Sequence, residues 1–308
     1  MTLAPVVIFA YNRLTHLQRC IKSLHDNLEF LDSPVFIFLD GPKDEVDKTK
    51  QISIKIYLES LNLNSRSKLI YRNKNYGLSN SVIIGLNEIF QDFDRVIIVE
   101  DDLEVSPYFL KFMNEALNYY QQLGDVGSIH GFSYELRVNM NANYFLRGGD
   151  CWGWGTWKDR WYLFEKDAGK LIPIFRNNPK LKKEFDLGGS YPFFKMLERQ
   201  SLGLVDSWAI RWHASLFIAN KLTLYPYKSL VKNLGFDGSG THLSGNFKSN
   251  PELSIDPIVL DDIPVKESKL ASRYLGEYLR VHYRIGFRYS YLRVIRKIFH
   301  LIRSLLAK

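Results

Sequence analysis

Short uncharged runs alternate with longer amphipathic stretches through the first 125 residues. Residues 5–10 form a β-branched run with no charge, the pattern of a strand buried on both faces. Leu17, Cys20, Ile21, Leu24 and Leu28 then recur at helical spacing, predicting a helix over 14–28. The next apolar run, 35–39 (Val-Phe-Ile-Phe-Leu), ends at the turn signal Asp40-Gly41-Pro42. The same reading predicts a helix over 46–61, a strand over 68–71, a helix over 79–90, a strand over 95–99 and a helix over 107–123. Strand-helix alternation predicts an α/β fold with a mostly parallel sheet covered on both faces. Ligands of such sheets bind beyond the C-terminal strand ends. Three of those ends are polar: Tyr11-Asn12-Arg13, Asp40-Gly41 and Glu100-Asp101-Asp102.

The pattern loosens after residue 125. A fifth strand is expected over 127–132, a Gly- and Trp-rich loop over 148–161 and a helical insert over 173–189. A helix closing the apolar run 204–218 and a last strand at 222–224 follow, then a glycine-rich loop over 233–245. This divides the chain into a first half (1–125), a second half (126–265) and a basic helical tail (266–308).

The chemistry concentrates at the acidic triplet. Adjacent carboxylates raise one another's pKa, and a cation among them relieves the cost. Such hard oxygens suit Mg²⁺ or Mn²⁺, which share the phosphate oxygens of a substrate. The plainer alternative is a solvated turn that caps the following helix. In Gly148-Gly149-Asp150-Cys151-Trp152-Gly153-Trp154, the flat faces of Trp152 and Trp154 suit sugar C–H surfaces, and Asp150 is placed to meet a hydroxyl; core packing is the alternative. Asp206 precedes an apolar helix and is the candidate base for an acceptor hydroxyl, with an N-cap as the plain alternative. His242 stands in the flexible loop Asn233-Leu234-Gly235-Phe236-Asp237-Gly238-Ser239-Gly240-Thr241-His242, suited to closing over a diphosphate.

The run Val99-Glu100-Asp101-Asp102-Leu103 resembles the Glu-Asp-Asp-Leu segment of the N-acetylglucosaminyltransferase I family and of bacterial family 2-like glycosyltransferases from surface-polysaccharide clusters. The resemblance spans roughly residues 4–245 and implies the GT-A fold, a Rossmann-like sheet with an acidic metal motif. It implies that Ala10, Tyr11, Asn12 and Arg13 hold the nucleotide base, with Asp40 near it, and that Asn75 and Asn80 belong to the Asn-x-Gly loop lining the nucleotide. It makes Asp102 the direct ligand of Mn²⁺ or Mg²⁺, with Glu100 and Asp101 at the ribose or around the metal, and His242 at the metal or diphosphate. It favours a UDP-sugar donor and an inverting transfer to a glycan. The family's base stands next to its Trp, where this chain has Ser207; Asp206 lies one residue earlier.

Charge adds one feature. The net charge is +8, and residues 273–308 hold nine Lys or Arg against the single acid Glu277, so the other 272 residues sum to zero. Basic residues interleaved with Leu, Ile and Tyr predict a helix lying on an anionic membrane surface, or packed on the domain. A neutral remainder argues against nucleic acid. With no signal-peptide pattern at the start, the expected location is the cytoplasmic, inner face of the cell membrane, with a lipid-linked glycan as acceptor. The two cysteines, Cys20 and Cys151, fit a reducing compartment and leave a single bridge open. The competing functions are a nucleotidyltransferase, disfavoured because the first strand lacks a glycine-rich loop, and a non-catalytic carbohydrate-binding partner subunit.

Overall fold

The computed structural model describes residues 2–237 and 250–282. Its first half follows the predicted alternation: β1 (Val6–Ala10), α1 (Leu14–His25), β2 (Val35–Leu39), α2 (Glu45–Glu59), β3 (Lys68–Tyr71), α3 (Leu78–Asp92) and β4 (Arg95–Glu100). β1 pairs in parallel with both β2 and β4, and β2 with β3. Every residue of β1 and β2 is buried, as uncharged β-branched runs demand when helices cover both faces. α1 buries the predicted Leu17, Cys20, Ile21 and Leu24. It stops at His25, so Leu28 is not on its buried stripe and stands 92% exposed.

The second half departs from parallel order. The chain continues through β5 (Leu103–Val105), α4 (Phe109–Tyr119), β6 (Val126–His130), β7 (Tyr144–Arg147), β8 (Trp154–Trp157), α5 (Lys158–Trp161), α6 (Ala168–Arg176), α7 (Pro179–Phe185), α8 (Phe193–Ser201), α9 (Trp208–Ile218), β9 (Leu222–Tyr225), β10 (Val231–Asn233) and α10 (Lys269–His282). One eight-stranded sheet results, in the order β3-β2-β1-β4-β8-β6-β9-β7, and β10 pairs with β5 in a small second sheet. β8 lies antiparallel between β4 and β6. The segment expected to be a Gly-Trp loop thus supplies a central strand, all four of whose residues are buried.

α1, α2 and α4 cover one face of the sheet through Leu24, Leu58 and Phe112. α3 and α9 cover the other through Leu86, Trp208 and Trp212. The helical insert expected over 173–189 is longer, three helices (α6, α7 and α8) from 168 to 201, packed on α9 around Phe175 and Phe185. The tail behaves differently from a free surface helix over its first part. α10 sets Ala271, Leu275, Tyr278 and Leu279 against Tyr144, Leu146 and Tyr225 of the sheet. Residues 269–282 are therefore part of the domain, and the more basic 283–308 lie outside the described residues. Among the described residues no helix is long and apolar enough to cross a membrane.

Candidate active site

The parallel half brings the three polar strand ends together, as the topology predicts. Ala10 closes β1, and Tyr11, Asn12 and Arg13 follow it toward α1. Arg13 sends one guanidinium nitrogen to both Asp101 Oδ1 at 2.5 Å and Asp102 Oδ2 at 3.0 Å. The backbone N–H of Tyr11 donates to the other Asp101 oxygen at 3.3 Å. Asp101 is buried and ties the end of β1 to the end of β4. Asp102 keeps more of its carboxylate open, with 13% of the side chain exposed.

A loop folds over Asp102 from the far side. The N–H of Leu234 donates to the Asp102 carbonyl at 2.7 Å. Gly235 follows, and a Cβ there would stand 2.6 Å from Asp102 Oδ2. A side chain there would push the Asp102 carboxylate aside. His242, further along the same loop, lies outside the described residues.

Burial makes the triplet electrostatically tense. The Glu100 carboxyl is pushed up to about 8 by burial first, then by Asp102 and Asp101, with Arg13 opposing. Asp101 is pushed up to about 6, chiefly by burial, with Arg13 opposing and Asp102 adding to the rise. Burial disfavours the charge of Arg13 itself, yet the attraction of Asp101 and Asp102 holds its pKa above the ordinary value. The folded protein thus keeps these carboxyl protons longer than the unfolded chain does. The associated stability is complete only below about pH 3.8, the lower of the two ordinary values, and is lost as the pH climbs through 6 toward 8. Glu100→Gln, which mimics the protonated acid, is expected to melt above the wild type at pH 8 and higher in chelator. The gap should close as the pH falls toward 5. A thermal-melt series in which the wild type gains on the variant between pH 6 and 8 would contradict this.

The donor set of the triplet bears on the metal. Among the described residues no group of three His, Cys, Asp or Glu forms a ready cage. Asp102 instead presents one partly open carboxylate beside Glu100 and Asp101, with backbone held close by Gly235. This fits a Mg²⁺ or Mn²⁺ that takes one or two carboxylates and completes its shell from substrate phosphates and water.

The side of the crevice formed by residues 11–12, 40–41 and 75–77 is built by residues that reach one another rather than outward. Asp40 is buried and accepts from the N–H groups of Gly41, Tyr76 and Gly77 and from Asn75 Nδ2. Its carboxylate braces the 75–77 loop. Asn75 also donates to the Gly41 carbonyl at 2.8 Å, and Asn80 donates back to Tyr76. Gly77, at φ 76°, turns this loop into α3. Sequence reasoning missed Asp47 in the first turn of α2. It accepts from the Tyr11 hydroxyl and, at 2.7 Å, from Asn12 Nδ2, and these bonds lower its pKa. Gln51, one turn on, donates to the carbonyls of Tyr11 and Asp40. An acid in a first helical turn reads as a dipole partner, so nothing in the sequence singled it out.

The other candidates divide. Ser207, not Asp206, caps α9, accepting from the Ile210 N–H. Asp206 is left 59% exposed, 3.9 Å from Arg211, with Oδ2 facing Gly77 across the crevice. Asp150 is held by the hydroxyls of Tyr134 and Tyr225 at 2.7 and 3.2 Å. Trp152 is half-buried against Phe132, and its backbone N–H donates to His130 Nε2 at 3.1 Å. Trp154 offers no face to a sugar: it is wholly buried, 5.3 Å from Trp208 and 5.5 Å from Trp212. It corrects the expected sugar platform into a core residue, placed there because β8 runs through the sheet.

The family model described as glycosyl transferase family 2 matches residues 6–201. An alpha-1,3-mannosyl-glycoprotein 2-beta-N-acetylglucosaminyltransferase of Arabidopsis thaliana is 30% identical over 124 residues, 38% of this chain and 28% of that protein. Among solved structures, S. aureus TarS 1-349 aligns at 13% identity over 76% of this chain and 61% of its own, with a TM-score of 0.44. The mannosyltransferase PcManGT from Pyrobaculum calidifontis, in complex with GDP-Man and Mn²⁺, aligns at 11% identity over 43% and 36%, with a TM-score of 0.31. The chain spans less than two thirds of the length of each of these relatives. With well over half of its residues matched and a Rossmann-like sheet ending in the acidic triplet, the chain belongs to glycosyl transferase family 2, a glycosyltransferase of GT-A fold.

Proposed function

We propose that the protein is a metal-dependent, inverting glycosyltransferase that moves a sugar from a UDP-sugar to a lipid-linked glycan of surface-polysaccharide biosynthesis. The observation that carries the reading is the partly open Asp102 carboxylate at the end of β4, where the crevice of Tyr11, Asn12 and Arg13 meets the close backbone of Gly235. Family membership disfavours nucleotidyl transfer and a non-catalytic role.

When bound, Mn²⁺ or Mg²⁺ supplies positive charge to the diphosphate leaving group. Asp102 would hold that cation, with Glu100 and Asp101 behind it and His242 reaching it from the loop. Arg13, bridging Asp101 and Asp102, keeps both carboxylates aligned and offsets their repulsion. Tyr11 and Asn12, fixed by Asp47, would line the base, and the 75–77 loop braced by Asp40 would line the ribose. Asp206 would take the proton of the acceptor hydroxyl as it attacks the anomeric carbon from the face opposite the diphosphate. The basic residues of 283–308 would hold the protein on an anionic leaflet at the cytoplasmic face, each contributing about 1 kcal/mol.

Calorimetric titration tests the reading. UDP is expected to bind wild type with Mn²⁺ present and not in chelator. Binding of UDP to equal affinity without any divalent cation would refute metal dependence. Failure of UDP, GDP, dTDP and CMP alike would refute the nucleotide-sugar reading.

A further inference from the structure

The helical insert carries a positive charge that the rest of the domain does not share. Residues 168–204 hold seven Lys or Arg against the three acids Glu184, Asp186 and Glu198. All three acids are answered within the domain: Glu184 by Arg147, Glu198 by Arg176, and Asp186 by the Phe194 N–H. Lys180, Lys183, Lys195 and Arg199 stand exposed. A cavity of about 850 Å³ lies between the insert, α9, the β7–β9 edge and α10, with His213 in its wall. Lys180 and Lys183 line it from α7, and Lys266 and Lys269 from the approach to α10, so the basic residues of the two segments meet around one cavity. Near the far end of α10, Arg280 donates to Ser190 Oγ at 2.8 Å, so α10 also ends beside the insert.

α8 runs from this region to the crevice. Its first residue, Phe193, packs on the cluster that α10 makes with the sheet, and the turn after its last residue leads to Asp206. Lys195, Arg199 and Leu202 follow one another at i, i+4 and i+7, a single stripe, and all three are exposed. The turn itself is a Schellman cap. The Gly203 N–H donates to the Gln200 carbonyl at 3.1 Å and the Leu204 N–H to the Arg199 carbonyl at 2.9 Å, with Gly203 at φ 68°. Such a cap usually sets the residue after its glycine against an apolar residue of the last turn. Here the residues in that place are Glu198 and Arg199, so the cap gives Leu204 no apolar partner. Leu204 stands 62% exposed and Leu202 71%. Gln200 also accepts the Ser207 N–H at 2.6 Å, which ties the turn to the start of α9. Two leucines are thus held outward on a braced turn, four and two residues before Asp206. An apolar tip beside a basic stripe is the pattern that enters the boundary of an anionic bilayer, with leucine among the acyl chains and Lys or Arg at the phosphates. A second copy of the chain fits less well, because a two-fold contact would set the same cations against each other.

We propose that the turn 202–204 and the outer stripe of α8 form a membrane-contact surface of their own, separate from residues 283–308, which seats on an anionic leaflet with Leu202 and Leu204 among the upper acyl chains. Asp206 then faces the leaflet, and an acceptor carried by a lipid reaches the crevice without leaving the bilayer. The inference rests on the membrane-bound transferase reading and adds to it the side of the domain that meets the lipid.

Fluorescence and sedimentation of the full chain with phosphatidylglycerol–phosphatidylcholine vesicles test this. Leu204→Cys, in a Cys151→Ser background with Cys20 buried, carries an environment-sensitive dye. Ile52→Cys on α2, where the native side chain is 57% exposed, carries the same dye as the control. On anionic vesicles the dye at 204 should shift to the blue and be quenched by a lipid-borne nitroxide, and the dye at 52 should do neither. Leu202→Ser with Leu204→Ser should lower vesicle partitioning by about tenfold or more. Lys195→Ala and Arg199→Ala should lower it by about fivefold each. All four side chains are exposed, so each variant should melt with the wild type. Sedimentation of the full chain with vesicles, without a shift at 204 and without loss in the serine pair, would overturn the proposal and leave contact through the tail standing. No sedimentation at all would overturn both. A shift at 204 that grows with protein concentration in the absence of vesicles would give the turn to a second copy and overturn the proposal. Equal partitioning into pure phosphatidylcholine would overturn it as well, since the basic stripe would then have no part. The calorimetric binding of UDP is read separately, so the nucleotide-sugar reading stands or falls apart from these results.

Discussion

Asp102→Ala should lower sugar transfer by about 10²–10³-fold, the scale of losing one group that stabilises charge developing on a leaving group. The side chain contacts little else. It meets Arg13 at 3.0 Å and the backbone at Gly235, and Arg13 retains Asp101 at 2.5 Å after the change. The melting temperature should therefore move little. At pH 8 it should not fall, because Asp102 adds to burial in raising Glu100, and its removal lets that carboxyl relax part of the way toward its ordinary range. In calorimetry the variant should lose the Mn²⁺-supported binding of UDP. Asp102→Asn, which keeps the shape and one neutral oxygen, should recover part of the nucleotide affinity and little of the metal dependence. Turnover is read as UDP released from UDP-GlcNAc or the donor that replaces it in a screen. An Asp102→Ala protein that still binds UDP only with Mn²⁺, at wild-type affinity, would place the cation elsewhere and end this assignment.

The parts of this site that could be read from the sequence are those that follow from strand ends. Uncharged runs at β1, β2 and β4 fix a parallel sheet, and the sheet fixes where Tyr11, Arg13 and Glu100–Asp102 must meet. What escaped depended on contacts between distant segments. Asp40 looks available for a ligand in the sequence, yet the 75–77 loop takes its carboxylate. Asp47 looks like an ordinary acid at a helix start and instead anchors Tyr11 and Asn12. β5 and β10 are three residues each, too short for alternation to register. β8 is hidden by composition: Trp-Gly-Thr-Trp has neither β-branched density nor alternation, and its two tryptophans suggest a binding loop. The tail was read as one basic segment because charge was its strongest signal, while the apolar stripe of α10 faces the sheet.

Trp154→Ala should be the most destabilising of the changes considered, at about 3–5 kcal/mol, the usual cost of truncating a fully buried large aromatic. The side chain is enclosed by Trp161, Trp208 and Trp212, with ring centroids 5.3–6.2 Å away. Those rings belong to α5 and α9 and cannot close on the void without shifting against the sheet. Asp206 lies two residues before α9 and His213 within it, so the same substitution should loosen the segment that holds Asp206 and the cavity wall. Trp154→Phe separates packing from polarity. It removes the indole N–H, which is buried without a hydrogen-bond partner, and keeps an aromatic ring in the gap. Relief of that unpaired donor should offset part of the lost volume, so the phenylalanine variant should stay well above alanine in denaturant midpoint. The test is chemical denaturation of the three proteins beside a transfer assay run far below each midpoint. A sugar platform predicts the opposite separation: near-wild-type stability for Trp154→Ala with transfer lost. A core strand predicts that stability falls first, and that whatever transfer survives keeps its KM for the donor.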